Sequence, residues 1–285
     1  MIALVQEIWI TVTADTGTVR SLLELVRDDV TPQLKKLDLS SVAFTYIDPA
    51  LVSSAVLKLE QCIIRVAQPG QRQAILAGIN NSANTNLRYL DLGGVSGVWL
   101  WAVAPDIVAG AAMKLETFKA RLSSLQAQAI LTMLAATEDF RLRDLVVWGP
   151  AIISTLDPEV VARALTKLET VKWDISDRLS PGQVAALFGR IRESPGLKLR
   201  HLILGGQNIS LLPRVILVGA IQRLEVVEFR WGEMTAEQVS AILTLVKENR
   251  LGRIKKIKII GVDYEGPVSP ALLHEAKLNS ALVWR

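Results

Sequence analysis

Apolar residues recur along this chain in a short strand pattern followed by a helix pattern, many times over. One phrase returns every 53 to 57 residues: Leu34-Lys-Lys-Leu-Asp-Leu-Ser, Leu87-Arg-Tyr-Leu-Asp-Leu-Gly, Leu142-Arg-Asp-Leu-Val-Val-Trp, Leu199-Arg-His-Leu-Ile-Leu-Gly and Ile254-Lys-Lys-Ile-Lys-Ile-Ile. A second phrase falls between them: Leu59-Glu-Gln-Cys-Ile-Ile, Leu115-Glu-Thr-Phe-Lys-Ala, Leu168-Glu-Thr-Val-Lys-Trp and Leu224-Glu-Val-Val-Glu-Phe. Val5–Ile10 and Leu278–Val283 fit the same frame at the two ends, which makes eleven units with the last one incomplete. Self-similarity at such a period is the signature of a stacked repeat architecture.

Each unit reads L-x-x-L-x-L, a strand with apolar residues at positions 1, 4 and 6. A stretch of helical period follows. In the shorter units a Pro opens the helix, as in Asp48-Pro49, Ala104-Pro105, Asp157-Pro158, Leu212-Pro213 and Ser269-Pro270. Pro suits the first helical turn, where its missing N–H is no loss, and Asp or Ser before it can cap. The longer units start helices at Ser180-Pro-Gly-Gln-Val and Thr235-Ala-Glu-Gln-Val, the second resembling a capping box. Val184, Leu187 and Ile191, and Val239, Ile242, Leu243 and Val246, are expected to face the core of amphipathic helices. The predicted fold class is α/β: a βα solenoid with a parallel sheet on one face and helices on the other, forming a single domain over 1–285.

These residues resemble the leucine-rich repeat family, in particular the ribonuclease-inhibitor-like class with alternating long and short repeats. The resemblance covers nearly the whole chain. It implies a horseshoe whose concave face is the sheet and whose partners are proteins. The family's usual Asn or Cys at position 9 is replaced by Val42, Val95, Pro150, Gln207 and Val262 in the shorter units, and by Ala67, Ser123, Ser176 and Gly232 in the longer ones. A regular Asn ladder is therefore not expected. The phrase Asp157-Pro-Glu-Val-Val-Ala-Arg-Ala-Leu-Thr-Lys-Leu-Glu resembles the C-terminal repeat regions of NOD-like immune receptors. No polar capping unit is visible at either end, so the chain reads as part of a larger protein.

Composition adds exclusions. Half of the residues are hydrophobic and mean hydropathy is +0.32, far too apolar for a disordered chain. Lys plus Arg number 32 against 28 Asp plus Glu, so bulk charge gives no support to nucleic-acid or membrane attraction. The most apolar stretch, Val98–Ala112, is too short to span a bilayer and contains Pro105 and Asp106. A signal peptide is not expected, because Met1–Ile10 lacks a basic start and Glu7 interrupts it. The lone Cys62 cannot form an internal disulfide. The default location is the cytoplasm.

Chemistry of the catalytic kind is not expected. His201 on a strand and His274 on the last helix belong to different layers, which disfavours a paired metal site, and Cys62 points inward. The glycines after strands, Gly93-Gly94, Gly149 and Gly205-Gly206, read as turns, and no phosphate-binding glycine loop with its Lys is present. No enzyme activity, cofactor or metal is predicted.

The binding expectation rests on the sheet. Alternate side chains of a strand point to opposite faces, so positions 3, 5 and 7 form columns on the concave face. Those columns are heterogeneous, whereas the inward positions are uniformly apolar. Their candidate partner-binding residues are Arg65, Tyr89, Asp91, Lys119, Arg121, Val146, Trp148, Lys172, Asp174, Ile203, Glu228 and Arg230. Trp beside Arg and apolar neighbours is the composition of interface hot spots. Arg121 and Trp148 are expected to stack, and Asp91 to pair with Lys119. In the last unit the frame beginning at Leu278 puts Ser280, Leu282 and Trp284 on the same face. Trp173 is expected in the core, Trp231 at a rim, and Trp99 and Trp101 in a strand-to-helix loop. The function this supports is a ligand-sensing repeat domain of an intracellular innate-immune-type receptor. The alternative is a stoichiometric inhibitor or scaffold of ribonuclease-inhibitor type. Nucleic-acid binding through Arg65, Arg121, Arg230, Lys256 and Lys258 is opposed by the interspersed Asp91, Asp174 and Glu228.

Overall fold

A computed structural model describes residues 7–9, 15–40, 46–64, 67–93, 100, 102–148, 153–174, 179–207 and 209–284, with the backbone alone for 9, 174 and 265. The chain packs as two compact units, 1–130 with 139–142, and 131–138 with 143–285. Both alternate strands and helices, and together they define an α/β solenoid.

Unit one holds the strands β1 (Glu7–Trp9), β2 (Lys36–Asp38), β3 (Gln61–Ile63), β4 (Tyr89–Asp91) and β5 (Thr117–Arg121), with helices α1 (Thr16–Arg27), α2 (Pro49–Val56), α3 (Pro69–Asn81) and α4 (Pro105–Lys114) between them. The unit boundary falls inside α5 (Ser124–Ala136). Unit two holds β6 (Asp144–Trp148), β7 (Thr170–Asp174), β8 (His201–Gly205), β9 (Val226–Arg230), β11 (Lys256–Ile260) and β13 (Leu282–Trp284), alternating with α6 (Pro158–Thr166), α7 (Pro181–Glu193), α8 (Arg214–Ile221), α9 (Ala236–Lys247) and α10 (Pro270–Lys277). Within each unit these strands are parallel and ordered as in the chain. Two further short strands, β10 (Glu233–Thr235) and β12 (Asp263–Glu265), form a separate parallel pair.

The core follows the frame. Leu37, Cys62, Leu90 and Phe118 in unit one, and Leu145, Val171, Leu202, Val227 and Ile257 in unit two, are buried at position 4. Trp173 is fully buried at position 6. The helix stripes Val184, Leu187, Ile191 and Val239, Ile242, Leu243, Val246 are buried against them. The Pro residues lie where expected: Pro49, Pro105, Pro158 and Pro270 start their helices, and Pro213 is the cap residue of α8. Asp157 accepts a 2.7 Å hydrogen bond from the Glu159 N–H, and Asp48 one of 3.1 Å from Ala50.

The last strand departs from the expected register. Leu282 pairs with Ile257 and Trp284 with Ile259, so Leu282 stands at position 4 and Trp284 at position 6, both one step from the frame that starts at Leu278. Leu278 is 77% exposed at the end of α10. Asn279 takes position 1 instead: its side-chain amide donates to the Val246 carbonyl, 3.2 Å, and its oxygen accepts from the Ala281 N–H, 2.9 Å. A polar residue that caps both its own turn and the preceding helix outcompetes a leucine there, and a one-residue slip turns every side chain to the other face.

No Asn ladder is needed, because glutamine does its work. Gln71, Gln126, Gln183 and Gln238 occupy the same place in the first turn of successive long-unit helices, and all are buried. Each Oε1 accepts the N–H of its cap residue (Gln68, Ser123, Ser180, Thr235) at 2.9–3.0 Å. Each Nε2 donates to loop carbonyls of the preceding unit: Ile47 for Gln71, Leu100 and Val103 for Gln126, Ile153 and Leu156 for Gln183, Ile209 and Leu212 for Gln238. One amide thus satisfies a buried donor and one or two buried acceptors across two repeats. Basic residues close the other end of the helices. Lys114 donates to the Asn80 and Ser82 carbonyls, Lys167 to those of Leu134, Ala135 and Thr137, and Arg223 to those of Arg192 and Ser194. Cations at helix C-termini meet the unsatisfied carbonyls and the negative dipole end.

Replacing Gln183 with Leu strands the Ser180 N–H and the Ile153 and Leu156 carbonyls, each of which costs about 1–3 kcal/mol when left unmade in the interior. Gln183→Leu is expected to lower unfolding stability by about 3–5 kcal/mol in urea titration. A loss below ~1 kcal/mol refutes the clamp.

Candidate partner-binding surface

The strand faces opposite the helices carry the candidate residues, and each unit builds its own surface. In unit one, Tyr89 and Lys119 lie on adjacent strands β4 and β5, with Tyr89 opposite Thr117 and Asp91 opposite Lys119. The Lys119 ammonium lies 4.8 Å from the centre of the Tyr89 ring, a cation–π contact made diagonally across the strand pair. Arg121 closes β5 and is half-buried. Asp91 is only 3% exposed, and its carboxylate accepts the Gly93 N–H at 2.9 Å, holding the turn that leaves β4. Arg65 lies outside the described residues.

In unit two, the Lys172 ammonium on the neighbouring strand lies 5.7 Å from the centre of the Trp148 ring. Trp148 and Lys172 are both half-buried, and Ile203 stands in register between Lys172 and Glu228. Val146, on the same column, is 7% exposed and offers a partner almost no surface. The Asp174 side chain lies outside the description.

Glu228 corrects the expectation most sharply. It is 1% exposed, and it is the centre of an ion network. Its carboxylate accepts from Arg230 Nε two residues on and from Lys258 Nζ, 2.9 Å, on the adjacent strand β11. Burial pushes its carboxyl pKa up, and the hydrogen bonds from Lys258 and then Arg230 outweigh burial, so the net direction is down. Asp91, Val146 and Glu228 are therefore parts of the face's framework, and Tyr89, Lys119, Arg121, Trp148, Lys172, Ile203 and Arg230 are the residues it presents. The alternation rule gives a side chain's direction. It does not say how far the long stems of neighbouring Lys and Arg columns, about 4.8 Å away, fold over a shorter residue.

Trp231 is the residue that the column frame undervalued. It follows β9 directly and is 62% exposed. Its backbone is left-handed, φ +48°, at the place where the neighbouring units have Gly206 (φ +65°) and Gly261 (φ +55°). Its indole lies over Gly261 so closely that a Cβ there would stand 2.6 Å from the ring. The glycine after the strand in the flanking units was the only available signal. A bulky residue at positive φ is strained, and strain of about 1–3 kcal/mol persists at sites kept for another reason.

Other chemistry is sparse. Cys62 is fully buried, and burial raises its thiol pKa far above the ordinary range. The His201 ring lies 3.4 Å from Thr170 Oγ1, and His274 is exposed on α10. Among the described residues no group of three His, Cys, Asp or Glu side chains is placed to hold a metal ion, and no helix is long and apolar enough to cross a membrane. Trp99 and Trp101 lie outside the described residues.

No protein-family model matches the chain, and no curated protein matches it.

The Glu228 network carries a signed pH dependence. A carboxyl held below its unfolded value, about 4.3, contributes stability above that value and loses it as pH falls through the folded pKa. Glu228→Gln is expected to cost about 1–3 kcal/mol at neutral pH, because Lys258 and Arg230 lose their shared anion. The gap between wild type and variant closes as pH drops below about 4. Chemical denaturation at a series of pH values measures it, and a gap independent of pH refutes the assignment.

Proposed function

We propose that this chain is the ligand-sensing repeat domain of an intracellular receptor of innate-immune type, of the leucine-rich repeat class related to ribonuclease inhibitor. In this reading it works in the cytoplasm and binds a protein partner through the open face of its sheet. Its role is recognition without catalysis. The repeat phrases and the parallel βα architecture support the class.

One contrast carries the binding assignment. Positions 4 and 6 of strands β2 to β9 and β11 are apolar and buried, and the open face presents Tyr89 with Lys119, and Trp148 with Lys172, amid residues that change from strand to strand. A face required only for folding has no use for half-exposed aromatic rings braced by cations. Such rings supply rigid contact area at low entropic cost, and truncating them typically weakens an interface by about 2 kcal/mol or more. Trp231 belongs to the same contact surface in unit two, where its strained backbone is explained by a role outside folding.

The test compares the full chain with Trp148→Ala/Lys172→Ala and with Trp231→Gly, using chemical cross-linking and mass spectrometry in lysate of the source cells. Trp231→Gly is expected to melt at or above the wild-type temperature, since Gly relieves the positive φ. Each variant is expected to lose the same captured partner, with affinity down roughly thirty-fold once that partner is purified. Unchanged capture by both variants at equal melting temperatures overturns the reading.

A further inference from the structure

The edge of unit two where the strands enter the sheet holds a cavity of about 570 Å³, within the roughly 300–1,000 Å³ range of small-molecule sites. It lies before position 3 of its strands, apart from the open face. Its lining is almost wholly charged, with Leu197 as the sole apolar side chain.

Along this edge, position 2 is a cation in the short units and a carboxylate in the long units from Glu60 onward, and the two pair across neighbouring strands: Lys35 with Glu60, Arg88 with Glu116, Arg143 with Glu169, Arg200 with Glu225. Lys255 also pairs with Glu225, at 2.6 Å. The edge is thus close to neutral by construction. The cavity breaks that balance. Lys198 and Arg253 line it from the position just before the strand's first apolar residue, where the other short units have Gln33, Asn86 and Arg141. Both side chains are exposed, and neither makes a hydrogen bond or ion pair with any described residue. Arg223 adds a third cation from the floor, fixed by the Arg192 and Ser194 carbonyls. Five cations therefore converge on two carboxylates, Glu169 and Glu225, and both carboxylates already have partners.

We infer that this cavity binds a compact soluble ligand carrying two or more phosphate groups. Three of the cations are arginines, whose planar forks match phosphate oxygens in pairs, and two lysines supply mobile point charges. A single phosphate leaves most of that charge unmet. The cavity's size suits a small molecule better than a polymer. Lys198 and Arg253 are the capturing groups, and Arg223 is a fixed donor already oriented by the helix end it caps. This inference does not depend on the open-face reading, since it uses none of the same residues.

The experiment titrates tripolyphosphate into the full chain by calorimetry at several ionic strengths, beside Lys198→Gln/Arg253→Gln. The double variant is expected to keep the wild-type melting temperature, because neither side chain makes a hydrogen bond or ion pair with a described residue, and to bind at least ten-fold more weakly. The charge-preserving Lys198→Arg/Arg253→Lys is expected to retain binding, and Lys119→Gln on the open face to leave it unchanged. Affinity should fall steeply with salt. Adenosine triphosphate in a parallel arm separates two sources of the same chemistry. Equal affinity assigns recognition to the phosphates alone, tighter binding adds a nucleoside contact, and both outcomes support the site. Four results overturn it: no heat with tripolyphosphate, equal affinity in the double-Gln variant, affinity no greater than for orthophosphate, or stronger binding of a polyglutamate peptide or single-stranded oligonucleotide.

Discussion

A strand that leaves a buried sheet beneath a helix exposes the carbonyls of its exit loop to a layer without water, and meeting those carbonyls is the constraint on which this solenoid depends. A backbone group left unmade there costs as much as a good contact contributes. Four long-unit helices, α3, α5, α7 and α9, meet the need with a glutamine in their first turn. Its oxygen holds the helix cap and its amide reaches back to the loop before it. The side chain is uncharged and fully satisfied, so it can be buried at little cost. Because the clamp ties a helix start to the preceding loop, it sets the spacing between successive helices. At position 9 Gln207 adds a buried bridge of its own, accepting from the Leu179 N–H and donating to the Gly205 carbonyl.

The sequence made the elements legible because their causes are local. Apolar residues at positions 1, 4 and 6, Pro in the first helical turn and Asp or Ser before it each have one stable solution in a βα repeat. The register of β13 escaped because Leu278 satisfies the apolar pattern as well as any true position 1. What decides it is the side-chain amide of Asn279 bonding to Val246, a contact between repeats. The glutamine clamp was half visible as a capping box, but its second half joins residues 23 to 30 positions apart in the chain.

The open face shows the same limit in another form. Direction was readable for Asp91, Val146 and Glu228, and burial was not. Glu228 illustrates why. Its neighbours Arg230 and Lys258 are long enough to lie along the sheet, and electrostatic attraction draws them over the carboxylate. A short acidic residue in a column beside long basic ones ends beneath them. Trp148 and Tyr89 fare differently, since a ring is broad enough to keep part of its surface exposed while a lysine braces one side. The face therefore sorts itself into a framework of shorter residues and a presented layer of aromatic and long cationic ones.

In a stack where each repeat touches only its neighbours, a substitution on a strand face or edge is felt by two flanking units and hardly beyond. Most positions settle into the repeat's rule, because that rule satisfies charge and hydrogen bonds at no further cost. Departures from it are then informative, provided they bring no gain to folding. Asn279 departs and gains two hydrogen bonds, so it is explained by structure. Lys198 and Arg253 make no side-chain hydrogen bond or ion pair with any described residue, and Trp231 stands against its own backbone preference. A folding requirement selects none of these three. They also sit at two separate places, Trp231 where a strand leaves the sheet and the two cations where strands enter it. Neither place shares a side chain with the glutamine clamps, so substitutions at Trp231, Lys198 or Arg253 leave those clamps in place.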